Sequence, residues 1–322
     1  VYGDNGGAVG YLVGEENRGL ACMFTMMNLA RLAVGLQGVG IAERATQQAI
    51  QYAKDRKQGR ALGFAGQGSS PIVDFPDVKR MLITMRALTR AARAICYATA
   101  GAIDGSHGKD DAKASNDRAA LLTPVAKAFS TDIGIEVASL GIQVHGGMGF
   151  IEETGAAQHL RDARIAAIYE GTNGIQSLDL VSRKVPMNGG AAVRTYLDEL
   201  RETVKAVQAK NDPAFGTTGA KLSEAVESLD RATTWLLSKL DKEPQAALAG
   251  ATPYLRLFGN AAGGCMLADE ALAALRLGDG EPATRVAIAR FFAENIAVQA
   301  HGLEKSVTEG AGSVLSAETA LA

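Results

Sequence analysis

The sequence predicts an all-α protein, and three observations carry that expectation. Ala and Leu are abundant, while aromatic residues make up only 5% of the 322 residues. Ala and Leu lose little entropy in a helix and pack poorly as strands. Apolar residues, 47% of the chain, recur over long stretches at three- and four-residue steps, the period of a helix that buries one face.

The elements follow in order. Residues 1–18 are Gly-rich with one short apolar stretch at 8–13, read as a β remnant, and a turn at Gly14-Glu15-Glu16-Asn17. From 19 to 57 the pattern is helical, with Leu20, Met23, Met27, Ala30 and Val34 on one face. Asn28, Arg31, Gly35 and Gly38 form another face, where small residues admit a second backbone or a flat ligand. Six Gly and Pro residues make 59–77 a loop. A second helix carries Val78, Met81, Leu82, Met85, Leu88, Ala92 and Ile95, and a polar hairpin over 102–116 includes Gly105, Gly108 and Asp110. A third helix spans 117–144 with Pro124 in its first turns, where a missing N–H does least harm. A returning fourth helix near 173–184 completes a four-helix bundle over 19–186. Pro186-Met187-Asn188-Gly189-Gly190 is a break. Beyond it, helices at 191–210, 219–241, 243–276 and 281–304, the last two parted by Gly278-Asp279-Gly280, form a second helical domain over 187–322.

Composition narrows the function. A net charge of -2 offers no basic excess to neutralise phosphates, so nucleic acid is not an expected partner. Cys22, Cys96 and Cys265 lie far apart, and the four histidines lack metal-ligand spacing. No disulfide framework or metal site is expected, and the pattern fits a reducing cytoplasm. No uncharged apolar run is long enough for a membrane span. The Val1-Tyr2-Gly3-Asp4 start lacks an initiator Met and any signal-peptide pattern, so the chain is expected to begin mid-protein or to be processed.

Four segments could carry chemistry. Gln143-Val144-His145-Gly146-Gly147-Met148-Gly149 is a glycine turn that could meet a phosphate or a flat cofactor, or simply cap a helix. Glu170, in Tyr169-Glu170-Gly171-Thr172-Asn173-Gly174, follows the apolar run 165–168. A carboxylate desolvated there would suit a general base, and the alternative is a solvated helix end. The cations of Asp55-Arg56-Lys57-Gln58-Gly59-Arg60 could hold phosphates or answer the helix dipole. Arg31, among Leu29, Ala30, Leu32 and Ala33, needs either an internal carboxylate or an anionic ligand if buried.

Together with Gly14-Glu15-Glu16-Asn17-Arg18-Gly19 and Arg161-Asp162-Ala163-Arg164, these segments resemble the consecutive signatures of acyl-CoA dehydrogenases, over about residues 8–185. Residues 187–322 look like the additional helical domain of a longer bacterial subfamily. The resemblance implies FAD-dependent oxidation of the Cα–Cβ bond of an acyl-CoA. Glu170 would take the α-proton while the β-hydride passes to flavin N5, and electron-transferring flavoprotein would reoxidise the flavin. It implies that the Glu170 backbone N–H polarises the thioester carbonyl, that Gly171 lies against substrate, and that Arg31 sits near the acyl-CoA. It places Arg56 at the pyrophosphate region, and Gln143, Val144, His145, Gly146 and Gly147 at the adenosine half, of a neighbouring subunit's FAD, hence a homodimer or homotetramer. Thr172, Asn173 and Gly174 would flank a flavin phosphate. A few family branches carry the base just before the position of Arg31; here that residue is Ala30, which cannot abstract a proton. Complete family members also carry an N-terminal helical domain and a middle β-domain, of which only residues 1–18 would remain. Two other readings stay open: a non-catalytic helical oligomerisation module, and an acyl-CoA oxidase using the same base.

Overall fold

The computed structural model describes residues 2–108, 111–278 and 280–322; Asp110 of the polar hairpin and Asp279 of the last breaker lie outside them. Helix α1 (Gly19–Asp55), α2 (Pro76–Ser106) and α3 (Ala112–His145) are the long rods of the first half. A short α4 (Gly147–Phe150), then α5 (Ala156–Ala166) and α6 (Asn173–Asp179) follow, the last running into one π-helical turn, Leu180–Lys184. After a reversal at Met187–Gly190, where Asn188, Gly189 and Gly190 have positive φ, come α7 (Ala191–Lys210), α8 (Thr218–Lys239), α9 (Pro244–Ala249), α10 (Ala251–Leu277), α11 (Pro282–Asn295) and α12 (Ala300–Glu309).

The all-helical expectation holds, with three corrections. The β remnant at residues 8–13 forms no strand; among the described residues the one bridge pairs Lys57 with Pro71. A strand needs a neighbouring strand to take its N–H and C=O groups; among the described residues this segment makes one such bond, from the Ala8 N–H to the Tyr2 carbonyl at 3.3 Å. The polar hairpin is shorter than expected, because α2 runs on to Ser106 and α3 starts at Ala112. Pro124 therefore lies inside α3, buried, instead of in its first turns. The fourth helix expected near 173–184 is α6 with its π-helical turn, packed on α3, and a further helix, α5, packs on α1 and α3. Finally, α1 is long and apolar enough by length and composition to cross a membrane, although Arg31 interrupts it. Its first residues, including Leu20, Met26 and Leu29, are exposed, while its later face is buried in the bundle.

The small residues of α1 admit a backbone, not a ligand. A Cβ on Gly35 would stand 2.5 Å from the Ala126 carbonyl oxygen, and one on Gly38 2.4 Å from that of Ser130. The glycines let α1 lie directly on α3, which fixes the register of the two helices.

Helix α10 is buried over most of its surface, as expected of a helix that is apolar all round. Its Gly259 sits on the Phe129 ring of α3 and its Gly263 on Ala91 of α2, while Gly264 meets Leu222 of α8. The two helix sets, 19–186 and 187–322, which we propose as a division, thus share one contiguous core.

Candidate active site

Helix α5 stops at Ala166, and the chain turns over residues 167–172 before α6 begins. Glu170 sits in that turn with φ 56°, and Gly171 follows with φ 83°. Of seven described non-glycine residues with positive φ, five are Asn or Asp; Glu170 and Glu281 are the exceptions. A glutamate gains no local hydrogen bond there, so tertiary contacts must hold it.

Those contacts come from every side. The Asn173 backbone N–H donates to the Ala167 carbonyl at 3.1 Å and closes the turn. Thr172 caps α6, its hydroxyl accepting from the Ile175 N–H at 3.3 Å. The Asn173 amide donates to the Ala128 carbonyl, Thr131 and Asp132 of α3 at 3.2, 2.9 and 2.7 Å. Buried Gln176 donates to the carbonyls of Glu170 and Gly171, each at 3.2 Å. The Tyr169 hydroxyl donates to Gln37 of α1. Lys127, in the middle of α3 and fully buried, donates to the Gly171 carbonyl at 2.9 Å and to Asn173 Oδ1 at 2.8 Å. Gly171 is required by its φ and by space, since a Cβ there would lie 2.8 Å from the Gln176 amide nitrogen.

Two polar groups of Glu170 are left over. Among the described residues, its carboxylate oxygen Oε2 is buried with no partner, and no hydrogen bond takes its backbone N–H. A buried acceptor without a donor carries a desolvation cost. An unpaired acceptor beside an unpaired donor is the arrangement that proton abstraction from a carbonyl compound uses. Glu170 is half-buried, lies in the turn beyond the end of α5, and keeps one carboxylate oxygen out of solvent.

Arg31 points from α1 into the same end of the bundle. It is paired with buried Asp179, Nη1 to Oδ2 at 3.4 Å, and Asp179 also accepts from Arg183 at 3.1 Å. The partner of Arg31 is therefore an internal carboxylate, although Arg31 Nε stays buried and unpaired. A cavity of about 400 Å³ opens beside the pair, lined by Asn28, Arg31, Asp179, Lys184 and residues of α2 and α3. Lys127 senses both the Arg31 guanidinium and the Glu170 carboxylate, which sets three charges in one region.

The remaining sequence-derived residues assemble elsewhere. Arg56 follows the end of α1, roughly 35 Å along that helix from Arg31 at 1.5 Å per residue. It is exposed, and among the described residues its guanidinium bonds Gln58 at 3.3 Å. Gly146, with φ 60°, ends α3 nearby, and Gln143, Gly146 and Gly147 are exposed. The Val144 side chain is in the core. The buried His145 ring stacks on Tyr52 with centroids 4.3 Å apart and Nδ1 2.7 Å from the Gly141 carbonyl. Gln143, Gly146, Gly147 and Arg56 thus offer an open face of amides and one cation, suited to a phosphate-bearing group. In the other turn, Gly174 is exposed, but Asn173 is committed inward by the bonds above.

Sequence reasoning missed Lys127, Gln176 and Asp179. The signal that marked Arg31, a lone charge in an apolar run, is equally present around Lys127, whereas Asp179 stands among Gln176, Ser177, Ser182, Arg183 and Lys184 and carries no such signal.

Similarity to known proteins agrees with this architecture. The family model for the acyl-CoA dehydrogenase C-terminal domain matches residues 17–185, and one described as acetyl-CoA dehydrogenase C-terminal like matches 196–318. The chain is 45% identical to 3-methylmercaptopropionyl-CoA dehydrogenase of Ruegeria pomeroyi over 96% of its own length and 54% of that protein. Two solved structures share the fold, each with a TM-score of 0.74 over 95% of this chain: Caenorhabditis elegans ACDH-11 in complex with C11-CoA (21% identical, 50% of that chain) and a Bacillus anthracis acyl-CoA dehydrogenase complexed with FAD (22%, 54%). The chain spans about half the length of the relatives it matches. With the C-terminal-domain model covering over half of it, the chain belongs to the acyl-CoA dehydrogenase family.

Proposed function

We propose that this chain carries the proton-abstracting part of an FAD-dependent acyl-CoA dehydrogenase, with Glu170 as the base. The observation that carries the reading is Glu170 Oε2, a buried carboxylate oxygen without a partner among the described residues, on a backbone held at φ 56°. Glu170 would accept the α-proton of the thioester. Its free backbone N–H would donate to the thioester carbonyl and stabilise the negative charge that builds up there. Gly171, whose missing side chain makes room for Gln176, would present its backbone to substrate, and Arg31 supplies positive charge near the acyl-CoA. FAD, when bound, supplies the acceptor for the β-hydride.

The exposed Arg56, Gln143, Gly146 and Gly147 fit a phosphate-bearing cofactor, and they are the residues that would hold the adenosine side of FAD, with Val144 and His145 supporting them from within. Thr172, Asn173 and Gly174 would flank the flavin phosphate, Asn173 through the turn it braces. The separation of the two turns along α1 supports a homodimer or homotetramer in which each serves a different FAD. The substrate is an acyl-CoA, and the 45% identical relative directs the first assays to short, methylthio-substituted thioesters. Electron-transferring flavoprotein is the proposed electron acceptor. The free thiols Cys22, Cys96 and Cys265 support a cytoplasmic setting.

The test is Glu170→Gln in the full-length gene product. Dye reduction by acyl-CoA should fall about 10²–10⁴-fold while flavin absorbance is retained. Near-normal turnover would sink the base assignment.

A further inference from the structure

Lys127 has no part in the reaction as drawn above, yet it is a fully buried cation with both its bonds on the turn of Glu170. It is fully buried in the middle of α3, where a lysine is almost never found without partners. Both acceptors of its ammonium, the Gly171 carbonyl at 2.9 Å and Asn173 Oδ1 at 2.8 Å, belong to the turn that carries Glu170. Asn173 is locked in turn by Thr131 and Asp132. The charged groups facing Lys127 are Asp132 on its own helix, Arg31 from α1 and Glu170 from the turn. Behind Asp132 stand Arg256 of α10 and Arg164 of α5.

We propose that Lys127 is a positioning residue for the dehydrogenation, clamping the Gly171 carbonyl and the Asn173 side chain so that the Glu170 backbone keeps the left-handed conformation that places its carboxylate. This rests on the reading of Glu170 as the base. The clamp is needed because a glutamate at φ 56° is strained, and hydrogen bonds from an ammonium are the stronger kind. Gln176 grips the same two carbonyls from α6, but only with a neutral amide.

The clamp is also sensitive to pH. Burial above all, and then Arg31, bring the Lys127 ammonium down to about 8, against the pull of Asp132 and Glu170. The grip is fully charged below that pH and weakens above it. Global stability moves the other way. The unfolded lysine keeps its proton up to its ordinary value of 10.5, so between about pH 8 and 10.5 the unfolded chain binds more protons and stability contributed by this group rises with pH. Loosening of the turn is therefore separable from unfolding.

Amide hydrogen exchange on this chain tests the clamp directly, at the bonded amides of Asn173, Ile175 and Gln176. After correction for intrinsic rates, these should exchange about tenfold faster at pH 9 than at pH 7 in the parent, and equally fast at both in Lys127→Met. Amides of α7 and α8 should not change. In the full-length gene product, Lys127→Met should lower kcat about tenfold or more at pH 7, leave KM nearly unchanged, and lose the alkaline limb near pH 8. Lys127→Arg, which keeps its charge, should move that limb upward. Turn protection that is the same in Lys127→Met and the parent overturns the proposal, as does an unaltered pH profile. Should Lys127→Met not fold, Lys127→Gln serves; persistence of the parent's pH step in that variant also overturns it. Glu170→Gln run in parallel keeps the two ideas apart, since retained turnover there removes the base but leaves the exchange result to be judged alone.

Discussion

Two glycine turns mark the ends of this bundle, and they are built in opposite ways. The turn at 167–172 is wired inward: Lys127, Gln176, Asn173 and Gln37 reach it from three helices. The turn at 143–147 faces outward: its glycines are exposed, and its buried histidine bonds only within α3 and stacks on Tyr52. On the function proposed above, the inward turn would hold a proton-abstracting group, whose position its own chain must fix, and the outward turn would receive part of a cofactor on an open surface.

Four substitutions would sharpen or break that contrast. The largest effect is expected for Asp179→Ala, which strips the inward end of the carboxylate shared by Arg31 and Arg183. Leaving the buried Arg31 uncompensated should cost about 3–5 kcal/mol in denaturant unfolding; a loss under 1 kcal/mol would mean the pair is not buried in solution. Gly171→Ala comes next. It forces an L side chain to φ 83° and into the Gln176 amide, so a loss of about 1–3 kcal/mol is expected, with faster exchange at the Glu170 turn. Gly146→Ala meets the same kind of backbone strain in open space. It should cost only about 1–2 kcal/mol, and a larger loss than Gly171→Ala would contradict the comparison. Arg56→Gln is the smallest, within about 0.5 kcal/mol of the parent by unfolding. Its effect should show only as weaker FAD retention in the full-length gene product, measured by flavin release on dilution.

Much of the outward turn was legible in the sequence, because its properties are local. Three glycines after an apolar helix specify a cap, and Gly146 at φ 60° is that cap. The inward turn was legible only as a motif. Its supports lie 44 residues away at Lys127 and 148 residues from Asp179 to Arg31, and no periodicity reports pairs at such separations. The expected strand at residues 8–13 failed for the related reason that a strand is a pairing, which one segment's composition does not contain.

The sequence by itself determined the helices, since Ala- and Leu-rich periodic stretches leave the backbone no better way to bond its own groups. It also determined the breaks, and it singled out Glu170, Arg31 and Arg56 by residue type and order. Only the tertiary structure decided that Arg31 answers to Asp179, that the glycines of α1 admit a helix and no ligand, and that a buried lysine holds the Glu170 turn. Each of these depends on desolvation and on distances across the bundle. Such quantities exist only once the helices have packed.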